Sequence, residues 1–215
     1  MSIRPASPQV WSQAVREVDE GRLVVFPTDT VYGVGCDPHN VEAIEAIYDA
    51  KGRDKQKAIP LLLSGPEQLP KVAHSLPQAA QILGNEFWPG GLTLVVPRGE
   101  GLPAELGGGD SIAVRVPDHN ELRAFIDKCG GLIAATSANR SGEPDAVTAQ
   151  QAADYLLDKV ALIVDGGATG GGVPSTVVDC TMDPPRILRA GALDPARLGK
   201  ALASHSLKLD VQSQP

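Results

Sequence analysis

The segment Gly131–Thr136 is apolar along its whole length and shows no alternation of polar and apolar side chains. A strand of this kind is covered on both faces, so helices must pack on both sides of its sheet. Helical periodicity occurs in the flanking chain, as where Ile44, Ile47 and Tyr48 share one helical face after Asn40. Strands alternate with helices early in the chain and bunch together late. We therefore predict an α/β fold with a mixed parallel and antiparallel sheet.

The patterns place the remaining elements along the chain. The predicted strands are Leu23–Phe26, Ile59–Leu63, Leu92–Val96, Ser111–Val116, Val160–Val164, Val177–Asp179 and one around Ile187–Arg189. The predicted helices begin at Pro8, after Asn40, near Leu76, after Asp118, after Thr148 and at Pro195. With 215 residues, 42% of them hydrophobic, the chain can bury the core of one domain. We predict a single domain over residues 1–203, followed by a frayed polar tail at 204–215.

Charge and cysteine content exclude several classes of protein. The formal net charge of −7 argues against broad, non-specific binding of nucleic acid. The three cysteines are far apart and form no CxxC pair, and the histidines lack metal-ligand spacing, so neither a disulfide framework nor a metal site is indicated. No signal peptide and no apolar run long enough to span a membrane is found. We expect a cytoplasmic protein.

A hydroxyl-rich segment, Phe26–Gly35, follows the first predicted strand. Thr28, Thr30 and Tyr32 alternate along it, so a locally extended backbone would point the three hydroxyls to one face. Glycines such as Gly35 permit a close approach that a Cβ would block. A chain that passes from a buried strand to a row of hydroxyls indicates a binding site.

Cationic and amide groups occur at three further places. Lys51–Lys57 has four basic residues in seven, Arg115 lies on the more open face of its predicted strand, and Ser137 and Asn139 follow a buried strand. Polar residues just past the carboxyl end of a buried strand are where α/β sheets bind ligands. Simpler interpretations remain open, namely a solvated basic loop, a turn after a strand and, for Thr148, a helix N-cap. Taken together, the groups favour a pocket for an anionic substrate that carries a polyphosphate.

Six short motifs add a more specific signal. In order they are Pro27–Gly33, Lys51–Arg53, Ser111–Pro117, Thr136–Gly142, Pro174–Thr176 and Ile187–Gly191. They resemble the YrdC-like domain of threonylcarbamoyl-AMP synthases over about residues 10–200, and the Lys-x-Arg and Ser-x-Asn pair is the most specific part of the match. The resemblance implies a twisted mixed sheet flanked by helices, with a concave basic face for ligands.

The same resemblance implies an activity. Such a synthase joins L-threonine, bicarbonate or carbon dioxide, and ATP into threonylcarbamoyl-AMP and releases pyrophosphate. A separate transferase complex then uses the product to modify tRNA. Mg²⁺ is expected to arrive with ATP and to need no protein metal site. The length of the chain corresponds to the short, single-domain form of the family.

Roles for individual residues also follow from the resemblance. The residues implied to face ATP are Lys51, Arg53, Lys57, Ser111, Asn139, Thr148 and Arg189. Those implied to face threonine are Thr30, Arg115, Ser137 and Ser175, and Tyr32 is a further expected substrate contact. Of these, Lys51, Arg53, Ser137 and Asn139 are the predicted catalytic set. Because the reaction brings anions together, positioning and cationic screening should matter more than a dedicated acid or base.

Two other functions compete with the synthase. A YrdC-like paralogue could bind double-stranded RNA or the ribosome without turnover, although the acidic net charge weakens this interpretation. A carbamoyl-adenylate module of hydrogenase maturation proteins would need flanking acylphosphatase and CxxC zinc segments, and this sequence has neither.

Overall fold

Ten strands form one sheet in the computed structural model, which describes residues 2–170 and 172–211. The strands are β1 (Ser2–Pro5), β2 (Val24–Phe26), β3 (Gly33–Cys36), β4 (Leu61–Leu63), β5 (Leu92–Pro97), β6 (Ser111–Arg115), β7 (Leu132–Ser137), β8 (Leu162–Asp165), β9 (Thr176–Asp179) and β10 (Arg186–Arg189). The α-helices are α1 (Pro8–Asp19), α2 (Val41–Lys51), α3 (Gln78–Phe87), α4 (Asn120–Lys128), α5 (Ala149–Leu156) and α6 (Pro195–Ala203).

The sheet mixes parallel and antiparallel pairs, as the sequence predicted. Its strand order is β1-β8-β2-β3-β7-β4-β6-β5-β9-β10. Strand β8 pairs in parallel with β1 and β2, and the pairs β4–β6 and β5–β9 are also parallel. The other neighbours are antiparallel. The predicted α/β class is confirmed.

Helices cover both faces of the sheet. Helices α1 and α4 pack on one face, where Trp11 and Phe26 both contact the Phe125 ring. The other four α-helices contribute to a larger apolar cluster on the opposite face. Successive residues of β7 divide between these clusters, with Ile133 in the first and Ala134 in the second. Strand β7 is therefore buried on both sides, which explains its unbroken apolar sequence.

Two strands, β1 and β3, were not predicted from the sequence. Strand β1 is a short edge strand, and β3 has the sequence Gly-Val-Gly-Cys, whose glycines disfavour a strand. Close packing explains the second of these glycines, since a Cβ on Gly35 would lie 2.7 Å from Ile133 Cγ2 and 2.8 Å from the Ala134 carbonyl oxygen. Helix α4 also begins one residue later than predicted, because His119 Nδ1, rather than Asp118, accepts the capping hydrogen bond from Leu122 N.

The chain packs against β10 as far as Asp210. Asp210 N donates to the Pro185 carbonyl over 2.8 Å, and Ile187 N donates to the Asp210 carbonyl over 3.1 Å. Arg186 Nε and Asp210 Oδ2 form an ion pair at 2.9 Å, and Leu209 packs on the larger core cluster. These contacts differ from the frayed tail predicted for this part of the chain, while residues 212–215 lie outside the described region.

Candidate active site

A cavity of about 170 Å³ opens where the β2–β3 loop, the ends of β6 and β7 and the segment before β9 meet. Hydroxyl-bearing residues dominate its polar wall and include Thr28, Thr30, Tyr32, Thr93, Ser137 and Ser175. Its charged lining residues are Arg53, Arg115, Arg189 and Asp145. Apolar groups such as Leu62 and Pro60 complete the wall. The cavity thus combines three cations with many hydrogen-bonding groups.

Arg115 is held from three sides at the end of β6. Its Nε donates to the Gly90 carbonyl at 2.9 Å, Nη1 to Thr30 Oγ1 at 2.9 Å and Nη2 to Asp29 Oδ1 at 2.6 Å. Burial lowers the pKa of the Arg115 guanidinium, and the neighbouring Asp29 carboxylate opposes that change. An arginine carries five N–H donors. Three of these donors are used within the protein, so two remain for a ligand carboxylate.

Thr28 fixes the loop that presents Thr30 to Arg115. Its Oγ1 accepts from Thr30 N at 3.0 Å and Val31 N at 3.2 Å, and donates to the Val31 carbonyl at 2.7 Å. The two threonine hydroxyls lie 3.0 Å apart. Turns closed by a side-chain hydroxyl are common in loops. The predicted grouping of hydroxyls therefore holds for Thr28 and Thr30, although the backbone between β2 and β3 is a turn rather than a strand.

Tyr32 uses its hydroxyl within the protein. The hydroxyl donates to the Gly167 carbonyl at 2.6 Å and accepts from Gly166 N at 3.2 Å. Burial raises the pKa of Tyr32 to about 12. The side chain lines the cavity, but its hydroxyl anchors the loop after β8.

Lys51, Ser137 and Asn139 form one hydrogen-bonded cluster beside the cavity. Lys51 Nζ donates to the Ser137 and Asn139 carbonyls, each at 2.5 Å, and to Asn139 Oδ1 at 3.1 Å. Asn139 Oδ1 also accepts from Ser137 Oγ at 2.6 Å. Burial, with a smaller effect of Arg53, lowers the pKa of Lys51 to about 8, while Asp145 acts in the opposite direction. Lys51 thus braces the Ser-x-Asn turn from its position at the end of α2.

Arg189, Ser175 and Thr93 form a second group in the wall. Arg189 Nη2 donates to the Ser175 carbonyl at 2.8 Å and to Ser175 Oγ at 3.1 Å, and Thr93 Oγ1 lies 2.8 Å from Ser175 Oγ. Arg53 contacts the carbonyls of Lys57 at 3.2 Å and Ala58 at 2.9 Å. Burial lowers the pKa of both Arg53 and Arg189.

Five predicted site residues do not line the cavity, namely Lys51 and Asn139 of the cluster beside it, and Lys57, Ser111 and Thr148. Lys57 is exposed. Ser111 Oγ donates to the Gly108 carbonyl at 2.9 Å and lies at the opposite end of β6 from Arg115. Thr148 Oγ1 accepts from Gln151 N and Gln151 Oε1 accepts from Thr148 N, both at 3.2 Å, which is the capping arrangement that the sequence left open for this residue.

Asp29, Thr93 and Asp145 were not predicted from the sequence to have a role in the site. Thr93 could have been found, because it is a polar residue on a strand whose neighbours Leu92 and Leu94 are buried. Asp29 and Asp145 carried no local signal beyond an acid in a loop, since their importance depends on contacts with distant parts of the chain.

Across residues 2–170 and 172–211, no three His, Cys, Asp or Glu residues lie close enough to hold a metal ion. In the same part of the chain, no helix has the length and apolar character needed to cross a membrane.

Comparisons with known proteins identify one family profile and relatives that share one name. Residues 16–191 match the family profile Sua5_yciO_yrdC, described as telomere recombination. A threonylcarbamoyl-AMP synthase from Pyrococcus abyssi is 41% identical over 186 residues, which cover 86% of this chain and 55% of that protein. A threonylcarbamoyl-AMP synthase from Vibrio campbellii is 33% identical over 184 residues, which cover 84% of this chain and 98% of that protein.

A solved structure supports the same relationship. The crystal structure of P. abyssi Sua5 complexed with L-threonine superposes with a TM-score of 0.92 at 36% identity, covering 97% of this chain and 62% of that one. The chain therefore spans little more than half of the Pyrococcus relatives and nearly all of the Vibrio relative.

Proposed function

This chain belongs to the Sua5/YciO/YrdC family, and on that premise we propose that it is an L-threonylcarbamoyladenylate synthase. It would form threonylcarbamoyl-AMP and pyrophosphate from L-threonine, bicarbonate or carbon dioxide, and ATP. In class it is a nucleotidyltransferase. The name shared by the Pyrococcus and Vibrio relatives supports this assignment.

The observation that carries the proposal is the arginine arrangement of one cavity. Arg115 is fixed by Asp29, Thr30 and the Gly90 carbonyl with donors to spare, as a binding group for an amino-acid carboxylate should be. Arg53 and Arg189 line the same cavity and can bind phosphate. The L-threonine complex of P. abyssi Sua5 supports threonine as the amino acid.

The chemistry requires positioning above all. The threonine ammonium group first loses a proton to solvent. The neutral amine then adds to carbon dioxide with loss of a second proton, or to bicarbonate with loss of water, and an oxygen of the resulting carbamate attacks the α-phosphorus of ATP while pyrophosphate leaves. Each step brings anions together, so fixed cations and hydrogen-bond donors lower the barrier. We assign the threonine to Thr30, Arg115, Ser137 and Ser175, with Tyr32 supporting the wall. We assign the phosphates to Lys51, Arg53, Asn139 and Arg189.

Three weaker assignments complete the site. Lys57, Ser111 and Thr148 lie outside the cavity lining and are proposed as ATP contacts on the family resemblance alone. Mg²⁺ carried with ATP would take most of its ligands from phosphate and water. That arrangement suits a cavity with a single lining carboxylate, Asp145.

We further propose that residues 1–203 act as one domain and that the product passes to a tRNA threonylcarbamoyl transferase complex in the cytoplasm. The continuous sheet from β1 to β10 supports the single domain. Direct RNA contact would be local, since the chain carries 26 acidic against 19 basic residues. A purely RNA-binding role is not favoured, because relatives that share the fold are named as synthases.

Product analysis tests the activity. Purified protein is incubated with Mg-ATP and isotope-labelled bicarbonate, with and without L-threonine, and pyrophosphate and the product mass are followed. We expect both products to require threonine, and we expect the adenylate to carry the label.

ATP binding without threonine-dependent product would contradict the synthase and favour the RNA-binding alternative. Arg115→Lys is the matched control for the site, because it keeps the charge but loses the fork that binds a carboxylate. Full activity in that variant would show that another site performs the reaction.

A further inference from the structure

Asp145 is the only carboxylate among the described residues that line the cavity. It lies in the loop between β7 and α5 and is partly buried. Its charge acts on Lys51 and Arg189, but in residues 2–170 and 172–211 no hydrogen bond to its side chain is found. Its acceptors are therefore available to solvent or to a ligand of the cavity.

The loop around Asp145 is held in place from both sides. Tyr32 N donates to the carbonyl of Ala146 at 2.8 Å, which ties the loop to the hydroxyl-rich segment. Asn139 Nδ2 donates to the carbonyl of Glu143 at 2.5 Å, which ties it to the Ser-x-Asn turn. Asp145 is therefore fixed between the two segments assigned to substrate, and its position is set by the fold rather than by a partner for its side chain.

The other acid at this site is already paired. Asp29 Oδ1 accepts from Arg115 Nη2 at 2.6 Å, and the side chain of Arg115 is only 7% exposed. A free amino acid brings one negative and one positive group into the cavity. Arg115 can bind the carboxylate, and Asp145 is the lining anion whose acceptors remain available for the ammonium group.

We propose that Asp145 binds the α-ammonium group of the amino-acid substrate whose carboxylate is bound by Arg115 in the same cavity. This assignment rests on the proposed function and adds to it the group that distinguishes an α-amino acid from other small carboxylates. The cavity would thus select its substrate by two charges of opposite sign.

Asp145 has two simpler possible roles besides ammonium binding. Asp145 could merely offset the positive charge of Lys51 and Arg189, in which case its loss would strengthen the binding of anions and change that of zwitterionic threonine little. It could instead contact Mg²⁺, but no group of three acidic or metal-binding residues occurs in the described chain to assist it. Both roles predict results different from those of an ammonium site.

Calorimetric titration separates these roles. Wild type and Asp145→Asn are titrated, without ATP and Mg²⁺, with L-threonine and with the analogue in which a hydroxyl replaces the α-amino group. We expect the substitution to weaken threonine binding roughly 10- to 100-fold, the effect of one charge-assisted hydrogen bond. Binding of the anionic analogue should not weaken, because it loses a repulsive charge. Glu143→Gln is the matched control, because it removes the same charge from an exposed position of the same loop.

Equal losses for both ligands would show that Asp145 maintains the shape of the cavity and would overturn the proposal, as would unchanged threonine binding. A defect that appears only when Mg-ATP is titrated would assign Asp145 to the metal instead. If wild type binds no threonine and forms no product, the proposed function itself fails, whereas an active wild type with an unaffected Asp145→Asn variant removes only the ammonium site.

Discussion

The two cationic parts of the cavity differ in how they are held. Arg115 donates hydrogen bonds to Asp29, Thr30 and Gly90, which belong to two other segments of the chain. Arg53, by contrast, donates within the described residues only to carbonyls of its own loop, those of residues 57 and 58. We call the first group the clamp (Asp29, Thr30, Gly90 and Arg115) and the second the basic loop (residues 52–58).

This difference predicts two kinds of binding. The clamp is complete before ligand arrives, so its contribution depends on geometry and is shielded from solvent. The exposed side chains of the basic loop, such as Lys55 and Lys57, act mainly through charge, which salt screens. Amino-acid affinity should therefore vary little with ionic strength, whereas ATP affinity should fall as salt is added.

Breaking the clamp should have the largest effect. Arg115→Met leaves Asp29 without its buried partner, and removing one partner of such a pair costs about 3 to 5 kcal/mol of unfolding free energy. Urea unfolding measures this loss. The double variant Asp29→Asn/Arg115→Met should recover part of the stability, because no unpaired charge remains. A loss below about 1 kcal/mol would mean that the clamp is not preformed.

Removing Arg53 should affect ATP more than the fold. Arg53→Ala loses a charge-assisted phosphate contact, and we expect ATP binding to weaken by about 1.5 to 3 kcal/mol. Equilibrium binding of ATP at several salt concentrations provides the measurement. Threonine binding to the same variant serves as the control and should stay close to that of wild type. An equal loss for both ligands would erase the distinction between clamp and basic loop.

The pKa of Lys51 provides a test of whether this side chain is buried beside the cavity. Its folded pKa of about 8 lies below the ordinary lysine value of 10.5, so between these pH values the unfolded chain keeps a proton that the folded chain has lost. Stability contributed by Lys51 should therefore rise with pH in this window, on the order of 1 kcal/mol per pH unit.

The measurement compares the unfolding free energy of wild type with that of Lys51→Met at about pH 8 and about pH 10. Burial raises the pKa of Tyr32 and of Cys36 to about 12, and these groups lower stability as pH rises. Their effects cancel in the difference between the two proteins. A difference that stays constant or shrinks in this window would place Lys51 in water.

Lys57 should show the smallest effect. The side chain is exposed and outside the cavity lining, so Lys57→Ala should weaken ATP binding by less than about 1 kcal/mol. The loss should disappear at high salt. Lys55→Ala is the control, because Lys55 is also exposed but pairs with Glu45 at 2.8 Å. An ATP defect as large as that of Arg53→Ala would make Lys57 a direct ligand and extend the site beyond the cavity.

Local pattern was sufficient for much of the fold. The unbroken apolar sequence of β7 predicted a strand covered on both faces, and alternation along β6 correctly placed Ile112 and Val114 opposite Arg115. Strand β3 could not be predicted in this way. Its two glycines are typical of a loop. They occur in a strand here because side chains and backbone of neighbouring strands leave no room for a Cβ.

The site was predictable where its residue types were distinctive and not where it depends on distant contacts. The sequence singled out Lys51, Ser137 and Asn139, and the structure brings them together in one hydrogen-bonded cluster, while their catalytic role stays a prediction. The pairing of Asp29 with Arg115 joins residues 86 positions apart, and no periodicity encodes such a contact. The same holds for Asp145, because its place in the cavity wall depends on the other segments that form the cavity.

A structure of the protein with bound L-threonine would test the central claim most directly. We expect the threonine carboxylate to lie on the Arg115 guanidinium, with Asp29 and Thr30 still in place. We expect the ammonium group to face Asp145. Threonine bound elsewhere, or with its carboxylate on Arg53 or Arg189 instead, would contradict the assignment of the clamp to the amino acid.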